Sequence, residues 1–165
     1  MATASGHYFF MHAPISSVLF VCLGNLCRSP TAHAVLTGMA RQQQCNIRID
    51  SAGTSPYHKG SLPDARTREA GQARGYSFKG QRSRPVLDED FARFDLVLAM
   101  DKHNLRDLQE RCPAEYQHKV KLFLEYTEQE ELEVPDPYYG GRQGFELVLD
   151  LIEQGCEVLL SKAKR

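Results

Sequence analysis

The sequence has no surplus of either charge. Twenty Lys and Arg against twenty-one Asp and Glu leave a formal net charge of -1 over 165 residues. A chain so balanced casts no broad positive field, which argues against nucleic acid or an anionic membrane as a partner and leaves room only for a small local basic site. No apolar run comes near the ~18–20 residues of a membrane span. The five cysteines, at 22, 27, 45, 112 and 156, are odd in number and lack the spacing of a disulfide framework. Each therefore reads first as a small buried hydrophobe in a reducing compartment. The opening MATASGHYFFMHAPI has neither a basic n-region nor a long apolar stretch and makes a poor export signal. Residues 1–15 are expected to form a flexible extension, residues 16–165 one domain, and the compartment is expected to be the cytoplasm. At 42% hydrophobic and 25% charged residues, the composition is that of an ordinary globular domain with a real core.

What is present is an alternation of strands and helices. Ser17 to Cys22 (SVLFVC) is short, β-rich and nearly all apolar, as in a strand buried on both faces of a parallel sheet. Ser29-Pro30 predicts a helix start, with Ser29 as the cap and Pro30 at the first helical position. Residues 46–51 (NIRIDS) alternate like a strand, and 64–74 predict a polar, exposed helix ending near Gly75. A buried strand is expected at 95–100, a helix capped by Asp101 over 101–110, and a strand over 119–124. Phe145, Val148, Leu149, Ile152, Cys156, Leu159 and Leu160 describe one face of a last helix. This order predicts an α/β fold with a parallel sheet.

The informative segment is Val21-Cys22-Leu23-Gly24-Asn25-Leu26-Cys27-Arg28-Ser29-Pro30. It joins the first strand to the first helix, where successive backbone N–H groups form a nest aimed by the helix N-terminus. Gly24 permits a tight turn. No Gly-Lys-Ser/Thr follows, so the loop is not a nucleotide-binding P-loop. Cys22 opens the loop and Arg28 closes it, with five residues between. Such a loop can wrap one tetrahedral oxyanion, place a sulfur beneath it and fold a bidentate guanidinium over two of its oxygens. Backbone dipoles, helix terminus and Arg28 all favour a thiolate, and Ser29 can donate its hydroxyl to that sulfur. A nucleophile attacking phosphorus needs an acid for the leaving oxygen. Asp136 in Val134-Pro135-Asp136-Pro137-Tyr138-Tyr139-Gly140-Gly141 is the candidate, since two prolines hold it in an extended loop.

These two segments, in this order, resemble the signatures of the low-molecular-weight protein tyrosine phosphatases. Lesser matches are Asp50-Ser51-Ala52-Gly53-Thr54, Asp90-Phe91-Ala92, Met100-Asp101 and Asn104-Leu105-Arg106-Asp107-Leu108. The resemblance spans roughly residues 17–160. It implies a single domain with a four-stranded parallel sheet, helices on both faces and the phosphate-binding loop after the first strand. It implies that Cys22 is the nucleophile of a cysteinyl-phosphate intermediate, that Arg28 binds phosphate, and that Asp136 is general acid and then general base. Leu23, Gly24, Asn25, Leu26, Cys27 and Ser29 then form the loop, with Ser51 in support. Leu23, Tyr57, Tyr138 and Tyr139 line the substrate cleft, and His58, next to Tyr57, stands at its edge or is a plain surface residue.

Relatives carry a His where this chain has Gln81. That His supports the loop asparagine, and Gln81 is expected to keep the support role without the charge. The resemblance also implies that Cys27 can form a reversible disulfide with Cys22; otherwise it is a small packing residue at the base of the loop. No cofactor or metal is expected; the partners are phosphotyrosine proteins, with the chain a monomer or weakly self-associating. An arsenate reductase on the same scaffold would need further cysteines after the loop, and none falls between Cys45 and Cys112. A phosphate-binding module that had lost catalysis would be expected to lack Cys22, Arg28 or Asp136.

Overall fold

The computed structural model describes residues 14–163, apart from the side chain of Tyr139. Four strands, β1 (Ser17–Cys22), β2 (Arg48–Gly53), β3 (Leu96–Ala99) and β4 (Val120–Leu122), form one sheet in the order β2-β1-β3-β4. All three pairings are parallel. The helices are α1 (Arg28–Gln42), α2 (Ala65–Ala73), the short α3 (Asp90–Arg93), α4 (Lys102–Arg111), the single turn α5 (Phe123–Tyr126) and α6 (Gly141–Ser161).

β1 lies at the centre, and every one of its residues is buried. Alternation along the strand feeds two cores. Val18, Phe20 and Cys22 pack with Val35, Leu36, Phe123, Leu149 and Ile152 under α1 and α6. Leu19 and Val21 face the opposite side, with Phe91, Val97, Ala99 and Leu108 under α3 and α4. Helices thus cover both faces, as a parallel sheet requires. The chain leaves β1 for β2 on one side, then returns to β3 on the other. The C-terminal ends of β1 and β3 therefore open onto a topological switch point, where such sheets bind ligands.

Several local expectations shift. Ser29 does not cap α1. The helix begins at Arg28 after Cys27, without a side-chain cap, and Pro30 is its third residue, where a missing N–H still costs nothing. β2 runs two residues later than the alternation suggests. β4 stops at Leu122 because Phe123 turns inward as a helical turn, edge-on to Phe20 at 5.2 Å. α2 is capped by Asp64, which accepts from the Arg66 N–H at 2.8 Å. It is not fully exposed, for Thr67 and Gly71 are buried. Ile15 is buried as well and pairs with Ala163, so ordered packing begins one residue inside the segment assigned to the extension. Residues 1–13 of that segment lie outside the described residues. All seven apolar positions expected on the last helix are buried in α6. Among the described residues, no helix is long and apolar enough to cross a membrane.

Candidate active site

The loop from Cys22 to Arg28 is built by consuming its carbonyls from outside. Cys22 O accepts from Thr54 N–H and Leu23 O from Ser55 N–H, both at 2.9 Å. Gly24 O accepts from the Ser83 hydroxyl at 2.9 Å. Leu26 O accepts from Asp64 N–H at 2.9 Å, and Cys27 O from Thr31 N–H at 3.1 Å. With the carbonyls turned outward, the loop's N–H groups turn toward its concave side, which is the arrangement an oxyanion nest needs.

Asn25 is the pivot of this turn. It adopts φ 56°, a left-handed conformation that Asn tolerates better than most residues. Its amide group is fully engaged. Nδ2 donates to Ser29 Oγ at 2.8 Å and to Ser51 Oγ at 3.0 Å, while Oδ1 accepts from Arg84 N–H at 3.1 Å. Cys22, 3% exposed, has its Sγ 3.0 Å from Ser29 Oγ. Because Asn25 already donates to Ser29 Oγ, the Ser29 proton is left for an acceptor, and the sulfur at 3.0 Å is nearer than Ala52 O at 3.4 Å. The hydroxyl that sequence reasoning gives to the helix cap lies between Cys22 and Ala52 instead.

Gly53, at the end of β2, is what lets the loop close. A Cβ there would stand 2.7 Å from Leu23 O, 3.0 Å from Gly24 C and 3.1 Å from Asn25 N. These are backbone atoms of the loop itself, so nothing can swing aside. Gly53→Ala is expected to destabilise the fold by about 1–3 kcal/mol and to weaken inhibition by inorganic phosphate at least tenfold, roughly one lost hydrogen bond or more. Urea melts and phosphate inhibition constants measure the two effects. Unchanged phosphate inhibition would show that the loop does not depend on this contact.

Arg28 is only 4% exposed. Its Nη1 donates to Asp101 Oδ2 at 2.6 Å and to the Val134 carbonyl at 3.0 Å. Burial works against its charge, but Cys22, Asp101 and Asp136 together hold its pKa above the ordinary arginine value. Asp101 caps α4 with its other oxygen, accepting from Asn104 N–H at 2.8 Å. One carboxylate thus starts a helix and aims the guanidinium. Val134 in turn donates its N–H to Met100 O at 2.8 Å. The segment that carries Asp136 is therefore pinned both to the end of β3 and to Arg28.

Asp136 is exposed at the mouth, and its Oδ1 accepts from Tyr138 N–H at 3.0 Å. Its charge is felt by both Arg28 and Cys27. Arg66 braces the same segment. Its guanidinium lies 5.0 Å from the ring centres of both Tyr138 and Phe145 and donates to Tyr138 O at 3.3 Å. Leu23, Tyr57 and Tyr138 are exposed, Tyr57 most of all at 91%. The His58 ring packs over Gly24, 3.1 Å from where a Cβ would stand. The side chain of Tyr139 lies outside the described set.

Two expectations need correction or refinement. Gln81 does not support Asn25; its Nε2 donates to Pro30 O at 3.2 Å, and its Oε1 is buried without a partner. An amide in this position reaches the start of α1 rather than the loop. The Cys27 thiol is buried, and burial first, then the charges of Asp64, Cys22 and Asp136, push its pKa up to about 11. Asp101, Val134 O, Gly53, Ser83 and Arg66 contact the loop, Arg28 or the Asp136 segment and were not singled out from the sequence as site residues. For Asp101 the available signal was its place directly after a buried strand, within Met100-Asp101.

A family profile described as low molecular weight phosphotyrosine protein phosphatase matches residues 17–165. The chain belongs to that family. A Synechocystis protein assigned to it is 51% identical over 148 residues, covering 87% of this chain and 94% of the relative. The human low molecular weight phosphotyrosine protein phosphatase is 41% identical over 155 residues, covering 89% and 95%. Among solved structures, a protein tyrosine phosphatase from Entamoeba histolytica superposes with a TM-score of 0.85 at 44% identity, covering 89% of this chain and 96% of that one. The chain is thus a low molecular weight protein tyrosine phosphatase with the α/β fold and all-parallel four-stranded sheet of its structural neighbours.

Proposed function

We propose that this phosphatase hydrolyses phosphotyrosine, and small aryl phosphates with it, through a phosphoryl group held on Cys22. The observation that carries the reading is the joint placement of a buried sulfur, a hydroxyl 3.0 Å from it, and an arginine tied to the acid-bearing segment. Phosphate enters the nest with its oxygens on the loop N–H groups and on the Arg28 edge that Asp101 and Val134 leave open. The Cys22 thiolate attacks phosphorus in line with the tyrosyl oxygen. As the P–O bond breaks, Asp136 gives its proton to the departing phenolate. Its carboxylate then takes a proton from water, whose oxygen attacks phosphorus as the P–S bond breaks, releasing inorganic phosphate and the thiolate. The loop amides and Arg28 stabilise the charge on the equatorial oxygens in both steps. Ser29 donates to the sulfur when it leaves as thiolate.

An exposed rim of Leu23, Tyr57 and Tyr138 above a buried sulfur favours a long, flat phenyl stem over the short stem of phosphoserine. Cys27, one turn of loop away from Cys22, supports a protective disulfide after oxidation of the nucleophile. Its raised pKa keeps it a protonated thiol at neutral pH, so resolution is slow relative to an activated cysteine.

Acid quench of enzyme during turnover of a phosphotyrosine peptide tests the reading. Mass spectrometry is expected to find one phosphoryl group on the peptide containing Cys22. A phosphoryl group on another residue, or none under conditions where turnover is fast, would sink it.

A further inference from the structure

The Asn25 amide has two donors and uses one on each of two hydroxyls. This choice sets the direction of both. Ser29 Oγ accepts from Asn25 and has its own proton left for Cys22 Sγ at 3.0 Å, nearer than the alternative acceptor Ala52 O at 3.4 Å. Ser51 Oγ accepts from Asn25 and must send its own proton elsewhere. The atom it meets is Nδ1 of His33, 3.3 Å away on α1. A chain of contacts therefore runs His33–Ser51–Asn25–Ser29–Cys22, from the outer side of α1 to the nucleophile.

We infer that His33 is a positioning residue for the phosphate loop: as a neutral imidazole it accepts the Ser51 hydroxyl at Nδ1 and so fixes the orientation of Asn25 and of the hydroxyl that faces Cys22. The inference rests on the phosphatase reading of that loop. It assigns to α1 the support that the family resemblance placed at position 81, where Gln81 reaches Pro30 instead.

The surroundings favour the neutral form of His33 and leave it in touch with solvent. It is half-buried and lines a surface cavity of about 160 Å³ together with Thr37, Arg41, Ser77, Lys79 and Gln81. Burial lowers its pKa first, and Arg84 adds to the effect, while Asp50 on β2 opposes it. Asp50 is itself bound to Arg84 at 3.1 Å, and Arg84 also holds Asp90 at 2.9 Å. Arg41 and Lys79 line the same cavity as the ring, and Cys45 lines a second cavity that His33 also borders. A proton arriving through the cavity would place Nδ1–H against Ser51 Oγ. That oxygen would then face two donors, and its own proton would lose its acceptor. The chain of contacts loses its fixed polarity at the end farthest from the sulfur.

Three measurements test this together. In protein with ¹⁵N-labelled histidine at neutral pH, the His33 ring is expected to be neutral, with Nδ1 unprotonated. His33→Asn retains an acceptor near the Nδ1 position but does not titrate. It is expected to keep kcat for p-nitrophenyl phosphate within about twofold of wild type at pH 7, as one retained hydrogen bond allows. Its kcat should then rise relative to wild type as pH falls from 7 to 5; taking the ratio removes the ionisation of substrate and of Asp136. His33→Leu is expected to lower kcat about tenfold, the upper end for one hydrogen bond, and to add nothing further in a Ser51→Ala background. A proton on Nδ1 at pH 7, a flat ratio of His33→Asn to wild type, or full additivity with Ser51→Ala would each overturn the inference. These outcomes are read on Cys22-dependent turnover. Turnover that survives loss of Cys22 strikes the phosphatase mechanism instead, so the two failures are distinguishable.

Discussion

Cys22→Ser is expected to reduce turnover of p-nitrophenyl phosphate by roughly four orders of magnitude or more, the scale seen when an essential nucleophile is removed. The substitution is nearly isosteric, and the site is 3% exposed, so the fold has little reason to change. What changes is the attacking atom. A serine hydroxyl at this place has no base to take its proton: its neighbour is another hydroxyl, Ser29 Oγ, 3.0 Å from the sulfur it replaces. The loop amides and Arg28 are untouched. Phosphate affinity, measured by calorimetry, should therefore remain within a few-fold of wild type while kcat collapses. Robust turnover by Cys22→Ser would show that the sulfur is not the nucleophile. A parallel collapse of phosphate affinity would show that the sulfur's charge organises the loop.

Asp136→Asn carries the second large effect, and its signature is selective. General acid catalysis is worth about 10²–10⁴-fold. That contribution is needed in full only when the leaving oxygen is basic. Tyrosine leaves as a phenol of pKa about 10, whereas p-nitrophenolate departs readily unprotonated. The loss for a phosphotyrosine peptide is expected to be about a hundredfold or more, and distinctly smaller for p-nitrophenyl phosphate while phosphorylation of the enzyme limits the rate. Equal losses on both substrates would place Asp136 outside the proton transfer. The carbonyl of Val134, two residues upstream, binds Arg28 at 3.0 Å. That contact keeps the asparagine variant in the same position and isolates the proton from the geometry.

The fold was largely legible because its strongest signals are local. The apolar run Ser17 to Cys22 becomes β1 with the same ends, and the seven spaced apolar residues of α6 are all buried. Asp101 caps α4 as its residue type and place suggest. Within the site, the residues proposed to bear the chemistry, Cys22, Arg28 and Asp136, stood out by type and spacing. The residues that orient them did not. The partner of Arg28 is 73 positions away, and its second acceptor is a backbone carbonyl, which no side-chain identity reveals. Gly53 matters for the space it leaves empty. Ser29 could be read as a cap or as a partner of sulfur, and only the three-dimensional position of Asn25 decides between them. His33 offered no pattern at all, since one histidine on a helix has no spacing to betray it.

The strand order has a consequence for how the enzyme fails. The nest follows β1, its glycine rest and Ser51 close β2, the aspartate that aims Arg28 follows β3, and Asp136, the proposed acid, lies on the approach to α6. Neighbouring strands in the sheet thus contribute separate pieces of one socket, and no stretch of the chain holds enough of them to work alone. Under the proposed mechanism, turnover is expected to report sheet assembly, present when β2, β1 and β3 lie side by side and lost when they part. In a denaturation series the assay itself serves as the gauge of cooperative folding.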